Sequence, residues 1–229
     1  MAELEKKFFG SLKGSLGDVV FRSRNEKNYV SRKPKSYSAP GDAGYKERTG
    51  KFKLAVKLAS AIYSFDPLKK IWAGAVSNGK SPFTQIMQVN YPFVEEKDIS
   101  NMVNMTPRSS FGVKLQTLTL DNDSLSIELL PLSVISNIDT VIEKKIQALA
   151  VVFLTQPVNE ALPVYDSLKI TSAKIDVDTV NPLVFNIPLL TADSGIAENY
   201  TGKKVLFTVI TYDENGSVVQ FSSTVNYAV

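Results

Sequence analysis

The chain has 229 residues, of which 44% are hydrophobic, 10% aromatic and 21% charged, with a formal net charge of +3. That composition excludes a disordered or fibrous chain and leaves enough length to bury a core. It contains no Cys and no His, which excludes disulfides, thiolate nucleophiles, Cys- or His-ligated zinc, Ser-His-Asp triads and the side chain that titrates nearest neutrality.

The chain opens Met-Ala-Glu-Leu-Glu-Lys-Lys-Phe-Phe, with Glu3 and Glu5 where a secretion signal needs a basic start. No apolar stretch of ~7–15 residues follows, so no signal peptide is expected. The sequons at Asn104, Asn122, Asn199 and Asn215 then read as chance. Gly10, Gly14 and Gly17 punctuate the next segment. Their spacing matches neither GxxxxGK[ST] nor GxGxxG, and they precede a strand pattern instead of following one into a helix, so they read as turn or close-packing glycines.

A β-branched and aromatic run at 18–24 and a second at 29–33 flank the polar turn Asn25, Glu26, Lys27, Asn28, which predicts a β-hairpin. An isolated hairpin is marginal in water, so this one must pack on the chain or on a neighbouring molecule. It carries Arg22, Arg24, Lys27, Arg32, Lys33 and Lys35, interleaved with Phe21, Tyr29 and Tyr37. Alternation puts Arg22 and Arg24 on one face and Val19 and Phe21 on the other. Residues 34–44 are a polar Pro- and Gly-containing connector.

From 43 to 63 the period becomes helical, with Phe52, Ala55, Val56, Ala59 and Ile62 on one face and Lys51, Lys53 and Lys57 elsewhere. Asp66 followed by Pro67 opens a second helix through Ile71 and Trp72 as N-cap and first helical residue. Ser81 and Pro82 repeat the device for a third, carrying Phe83, Ile86, Met87 and Val89. Trp72 and Phe83 are expected in the core of this three-helix subdomain, and Glu95, Glu96 and Asp98 mark an exposed junction.

From 111 onward the period is two. Strands are expected at 113–120, 124–130, 146–155, 167–177, 183–189, 205–211 and 218–227, with turns at Asp121-Asn122-Asp123, Asn181-Pro182 and Asp213-Glu214-Asn215-Gly216. The longest apolar run, 148–154, is far short of the ~20 residues that span a bilayer and reads as a buried strand. Seven short strands argue for an antiparallel sandwich of immunoglobulin-like architecture, although the Cys…Trp…Cys signature is absent. The fold class is thus α+β: a hairpin arm and linker (1–44), a helical subdomain (45–105) and an immunoglobulin-like β-sandwich (106–229).

Charge divides unevenly along this order. Residues 1–80 hold 17 Lys/Arg and 7 Asp/Glu, a net of +10, and residues 81–229 hold 9 and 16, a net of −7. A basic front and an acidic rear point to an anionic partner or to head-to-tail self-association.

Few residues invite chemistry. Asp121 and Asp123 resemble the start of a calcium loop, but Ser126 stands at the glycine position and Leu132 at the position of the bidentate Glu. Asp176 and Asp178 alternate on a strand with no partner base, and Tyr200, Tyr212 and Tyr227 form no recognisable carbohydrate platform. The chain therefore reads as a non-enzyme with no cofactor, no metal site, no small-molecule substrate and no membrane insertion. It is expected in the cytoplasm or in a particle assembled there.

The segment Gly10-x-x-x-Gly14-x-x-Gly17-Asp18-Val19-Val20, followed by Tyr29-Val30-Ser31-Arg32-Lys33-Pro34 and by Asn78-Gly79-Lys80-Ser81-Pro82-Phe83, resembles the opening of an uncharacterised Bacteroidota family over roughly residues 8–92. The middle element of that family is kept only in part, at Ser38-Ala39-Pro40-Gly41-Asp42 and Arg48. The resemblance implies the order of the N-terminal elements and brings no activity or site residues. The leading expectation is a structural or assembly protein whose arm docks on neighbouring subunits or a protein partner through Arg22, Arg24, Lys27, Tyr29, Arg32, Lys33 and Lys35. The alternative is nucleic-acid binding by the same residues with the Lys-rich first helix.

Overall fold

A computed structural model describes residues 2–4, 13–24, 27–33, 41–76, 79–108, 111–134 and 136–229. These residues form a mixed α+β protein with four α-helices and three antiparallel sheets. The chain divides into two compact units, Met1–Asp42 and Ala43–Val229.

The first unit is a four-stranded sheet of β1 (Ala2–Leu4), β2 (Gly14–Leu16), β3 (Val19–Arg24) and β4 (Lys27–Arg32), in the order β1-β4-β3-β2. The expected hairpin is the β3–β4 pair. Its ladder runs on to Arg24 opposite Lys27, so Lys27 and Asn28 are strand residues and not part of a four-residue turn. Asn25 and Glu26 lie outside the described residues, as do Gly10 and the connector at 34–40. Two flanking strands were not legible, because three residues each are too few to show a period. Gly17 turns the chain from β2 into β3 with φ +55°, and Gly14 has φ +124°, values an L-residue rarely adopts. Both glycines therefore serve the backbone of the turn and strand.

In the second unit the three expected helices are α1 (Ala43–Tyr63), α2 (Asp66–Ala75) and α3 (Pro82–Asn90). The buried stripe of α1 is Leu54, Ala55, Leu58, Ala59, Ala61 and Ile62, while Phe52 is half exposed. The stripe keeps Ala55, Ala59 and Ile62 of the expected face and widens it with Leu54, Leu58 and Ala61, while Phe52 and Val56 are not part of it. Asp66 is the first helical residue of α2 and not its cap. Phe65 occupies the cap position without a side-chain bond. Ser81 does cap α3, accepting the Thr84 N–H at 3.2 Å. Trp72 and Ile86 are fully buried, whereas Phe83 is only partly so and meets Tyr63 edge-on, with 6.0 Å between ring centroids.

The helices are not confined to that three-helix segment. A fourth, α4 (Thr191–Ala197), follows the fifth of the expected strand runs. Thr191, Asp193, Ser194 and Gly195 are weak helix formers, and the helix buries only Ala197, so neither propensity nor period announced it.

All seven expected strand runs are strands, two of them interrupted. They are β5 (Leu115–Leu120), β6 (Ser124–Leu129), β7 (Lys145–Pro157), β8 (Tyr165–Thr171) with β9 (Ile175–Asp176), β10 (Leu183–Pro188), β11 (Tyr200–Tyr212), and β12 (Val218–Phe221) with β13 (Val225–Ala228). A three-stranded sheet runs β10-β6-β5. A six-stranded sheet runs β12-β11-β7-β8, with β13 also on β11 and β9 on β7.

The central pair β7–β11 has apolar side chains on both faces. Leu149, Val151, Phe153, Leu206 and Ile210 join the core under the helices, with Leu54, Leu58, Trp72 and Ile86. Their neighbours Ala148, Ala150, Val152, Leu154, Val205, Phe207 and Val209 join a second core with Leu125, Ile127, Leu129, Phe185 and Ile187 of the three-stranded sheet. Burial on both faces explains why 148–154 is continuously apolar instead of alternating. On β11 a Cβ on Gly202 would collide with the hydroxyl of its ladder partner Thr155.

One polar pair lies inside the helical core. The Tyr212 hydroxyl donates to Gln147 Oε1 at 2.7 Å, and the Gln147 amide donates to the Ser172 carbonyl at 2.8 Å. Burial pushes the Tyr212 phenol up to about 12. The unfolded chain releases this proton near its ordinary value of 10, before the folded chain does. The contribution of this group to stability is therefore expected to be constant below pH 10 and to fall by about 1.4 kcal/mol per pH unit between pH 10 and about 12. Urea titrations at pH 9, 10 and 11 check this, and Tyr212→Phe should reduce the slope, with the remainder coming from Tyr165 and Tyr200, whose phenols burial also pushes up.

Candidate interaction surface

The residues expected to meet a partner divide between the faces of the first unit's sheet. Directly paired residues share a face and neighbours along a strand alternate. One face carries Val20, Arg22, Tyr29 and Ser31, with Arg22 directly opposite Tyr29. The other carries Val19, Phe21, Val30 and Arg32, and is continued on β2 by Leu16, the partner of Val19. The predicted separation of Arg22 from Val19 and Phe21 is what this register produces.

Arg22, Arg32 and Lys33 are exposed and Tyr29 is half-buried. Arg32, however, stands at the end of the apolar face, opposite Val19, and not beside Arg22. Arg24 and Lys27 pair at the far end of the ladder. Lys33 follows β4, its N–H donating to the Asp18 carbonyl at 2.6 Å. Lys35 lies outside the described residues. On the apolar face Leu16 is 75% exposed, and Val19, Phe21 and Val30 are half-buried.

The lysines of α1 present less open charge than their number implies. Lys57 pairs with Asp166 at 2.7 Å, and Lys51 lies 5.0 Å from the centre of the Tyr91 ring. Lys53 is exposed.

Asp121 and Asp123 serve the β5–β6 turn through their backbones: the Asp121 N–H donates to the Ser124 carbonyl at 2.9 Å, and the Asp123 carbonyl accepts from the Leu189 N–H at 2.7 Å. Asp176 pairs with Lys145 at 2.8 Å. Asp178 closes a turn with Val180 and Asn181, and bonds from the Asn181 side chain and these backbone N–H groups hold its carboxyl below the usual range. Among the described residues no three acidic side chains gather as a metal site. The tyrosines also separate. Tyr200 and Tyr212 are buried, the former donating to the Pro163 carbonyl at 2.9 Å, and only Tyr227 is exposed. A tyrosine platform for sugars is therefore not assembled.

Among the clefts that open on the described residues of the second unit, three are signalled by no sequence motif. One of about 330 Å³ lies beside Trp72, Gln85 and Arg108. Another of about 280 Å³ lies beside Asp98, Pro157 and Gln156, whose φ of 56° is left-handed. The third, about 530 Å³, runs between Lys70 and Gly74 of α2 and the Asn215–Val218 turn. No helix among the described residues is long and apolar enough to cross a membrane.

No protein-family model matches the chain, and no curated protein matches it. Among solved structures it is similar to a β-glucosidase from Kluyveromyces marxianus. One crystal structure of that enzyme shares 14% identity at a TM-score of 0.20, covering 53% of this chain and 14% of the other. A second, in complex with glucose, shares 12% identity at a TM-score of 0.18, covering 55% of this chain and 15% of the other. The chain thus spans a small part of the enzyme's length, and superpositions this poor carry no argument about fold or activity.

Proposed function

We propose that this is a non-enzymatic structural or assembly protein whose N-terminal unit docks on a neighbouring copy or a protein partner. The observation that supports this reading best is the two-faced sheet at residues 2–32, with Leu16 three-quarters exposed on its apolar face and Arg22 and Tyr29 on the other. A sheet of 3- and 6-residue strands has little core of its own, and an apolar face gains stability when covered. The division into +10 and −7 favours a head-to-tail contact, which closes a ring or propagates a filament. Within this reading the two sheets of 115–228 form an immunoglobulin-like sandwich suited to lateral contacts. The protein works in the cytoplasm or in a particle assembled there, and residues 8–92 descend from the Bacteroidota family that they resemble.

Light scattering of the full chain at high concentration and low salt tests the proposal. The expected result is a mass above that of the 25.2 kDa monomer, reduced to the monomer by Leu16→Glu with Phe21→Glu. A strict monomer, or an oligomer indifferent to both substitutions, overturns it.

The pairing of exposed Arg22 with Tyr29 also favours nucleic-acid binding as a second reading, since a cation beside a ring can hold phosphate while the ring stacks on a base. Fluorescence anisotropy with a labelled single strand at two salt concentrations separates the two. Phosphate contact requires affinity to fall steeply with salt, and no binding at low salt dismisses this reading.

A further inference from the structure

The cleft of about 330 Å³ is bounded by the last turn of α2, the middle of α3 and residues 104–108, and its walls include Trp72, Gln85, Val89, Asn104, Pro107 and Arg108. One wall is held rigidly. The buried Asn90 side chain accepts the Asn104 N–H at 2.7 Å and donates to the Asn104 carbonyl at 2.9 Å. The Trp72 indole N–H donates to the Met105 carbonyl at 2.8 Å, and the Thr224 hydroxyl accepts the Met105 N–H at 2.7 Å. A wall fixed in this way needs little ordering when a ligand arrives.

Two groups at the cleft lack partners. Gln85 Oε1 is buried and accepts no hydrogen bond. Among the described residues the exposed Arg108 guanidinium has no ion pair or hydrogen bond. A buried acceptor without a donor is rare and unfavourable, and a guanidinium fork matches a carboxylate in shape and charge. Trp72, Val89 and Pro107 supply apolar surface in the same cleft.

We propose that this cleft binds a small organic carboxylate that also carries an amide N–H and an apolar body, the group presented by an N-acyl amino acid or by the last residue of a peptide. The carboxylate meets Arg108, the N–H meets Gln85 Oε1, and the apolar body lies against Trp72 and Val89. Gln85 as a whole is only partly buried, and contact with its buried Oε1 requires the amide to turn toward the ligand.

Trp72 is the only tryptophan in the chain, so its fluorescence reports on this cleft. The full chain is titrated with N-acetyl-L-leucine, with its neutral amide, and with a tetrapeptide ending in leucine. A saturable change in emission is expected for the acid, with Kd on the order of 1 mM for so small a ligand. The neutral amide should bind roughly tenfold more weakly. Arg108→Gln should remove that preference, while Gln85→Leu should weaken acid and amide alike by roughly tenfold. Gln85→Leu deletes an unpaired buried acceptor, so its thermal midpoint should not fall, which separates lost binding from lost folding. Tighter binding of the tetrapeptide identifies a peptide end as the source, and equal binding a free acyl amino acid. No saturable change up to about 20 mM, or a carboxylate preference that survives Arg108→Gln, overturns the proposal.

Discussion

Phe207→Ala is expected to cost about 3–5 kcal/mol, and Phe153→Ala the same, read from the shift in the urea midpoint at constant slope. Both rings are fully buried on opposite faces of the six-stranded sheet. Phe207 fills the core beneath the three-stranded sheet, and Phe153 the core beneath the helices, where it stacks on Tyr165 with 6.0 Å between centroids. Truncation of either removes a large apolar volume from a site closed on all sides. The two cores share one ladder, running from Tyr200 opposite Pro157 to Tyr212 opposite Lys145. Damage on one face should therefore be felt on the other. Phe207→Ala should shift the transition followed by Trp72 fluorescence as far as that followed by far-ultraviolet circular dichroism, although Trp72 belongs to the helical core. A smaller shift in the fluorescence would mean that the cores unfold separately.

Asn90→Ala is expected to cost roughly 2–4 kcal/mol by the same measurement. Asn90 is 1% exposed and its amide makes three bonds, to the Ile86 carbonyl at 3.1 Å and to both backbone groups of Asn104. Alanine leaves the Asn104 N–H and carbonyl without their partner and opens a small void beside Ile86. The neighbouring Gln88, exposed and bonded only to Lys80 Nζ among the described residues, is the control, and Gln88→Ala should stay within about 0.5 kcal/mol of the parent. Asn90→Asp should cost at least as much as Asn90→Ala, because it buries a carboxylate against the Ile86 and Asn104 carbonyls to which the amide had donated.

Much of the secondary structure was legible because its signals are local. Ser81 with Pro82 announced a helix start, and Asp213 to Gly216 announced a hairpin turn that the Asp213 carboxylate closes on the Ser217 N–H at 2.8 Å. Alternation in 19–32 placed Arg22 away from Val19 and Phe21 before any register was known. What stayed hidden depends on contacts between distant residues. The stripe of α1 reads equally well through Phe52 or through Leu54, and only the sheet it packs on decides. β2 is only Gly-Ser-Leu, and α4 carries the weak helix formers Thr191, Asp193, Ser194 and Gly195, so propensity announces neither. The cleft at Gln85 was invisible because its walls come from three segments, 72–75, 85–89 and 104–108, with no shared motif.

Sedimentation velocity over a range of concentrations at low salt, comparing the full chain with residues 43–229, tests the assembly role most directly. The second unit has its own buried cores, and its circular dichroism should match that of a folded α+β unit. The proposed role predicts that the sedimentation coefficient of the full chain rises with concentration, while residues 43–229 sediment as a monomer throughout. A full chain that remains monomeric at every concentration, or a shortened chain that associates as strongly as the full one, would contradict it.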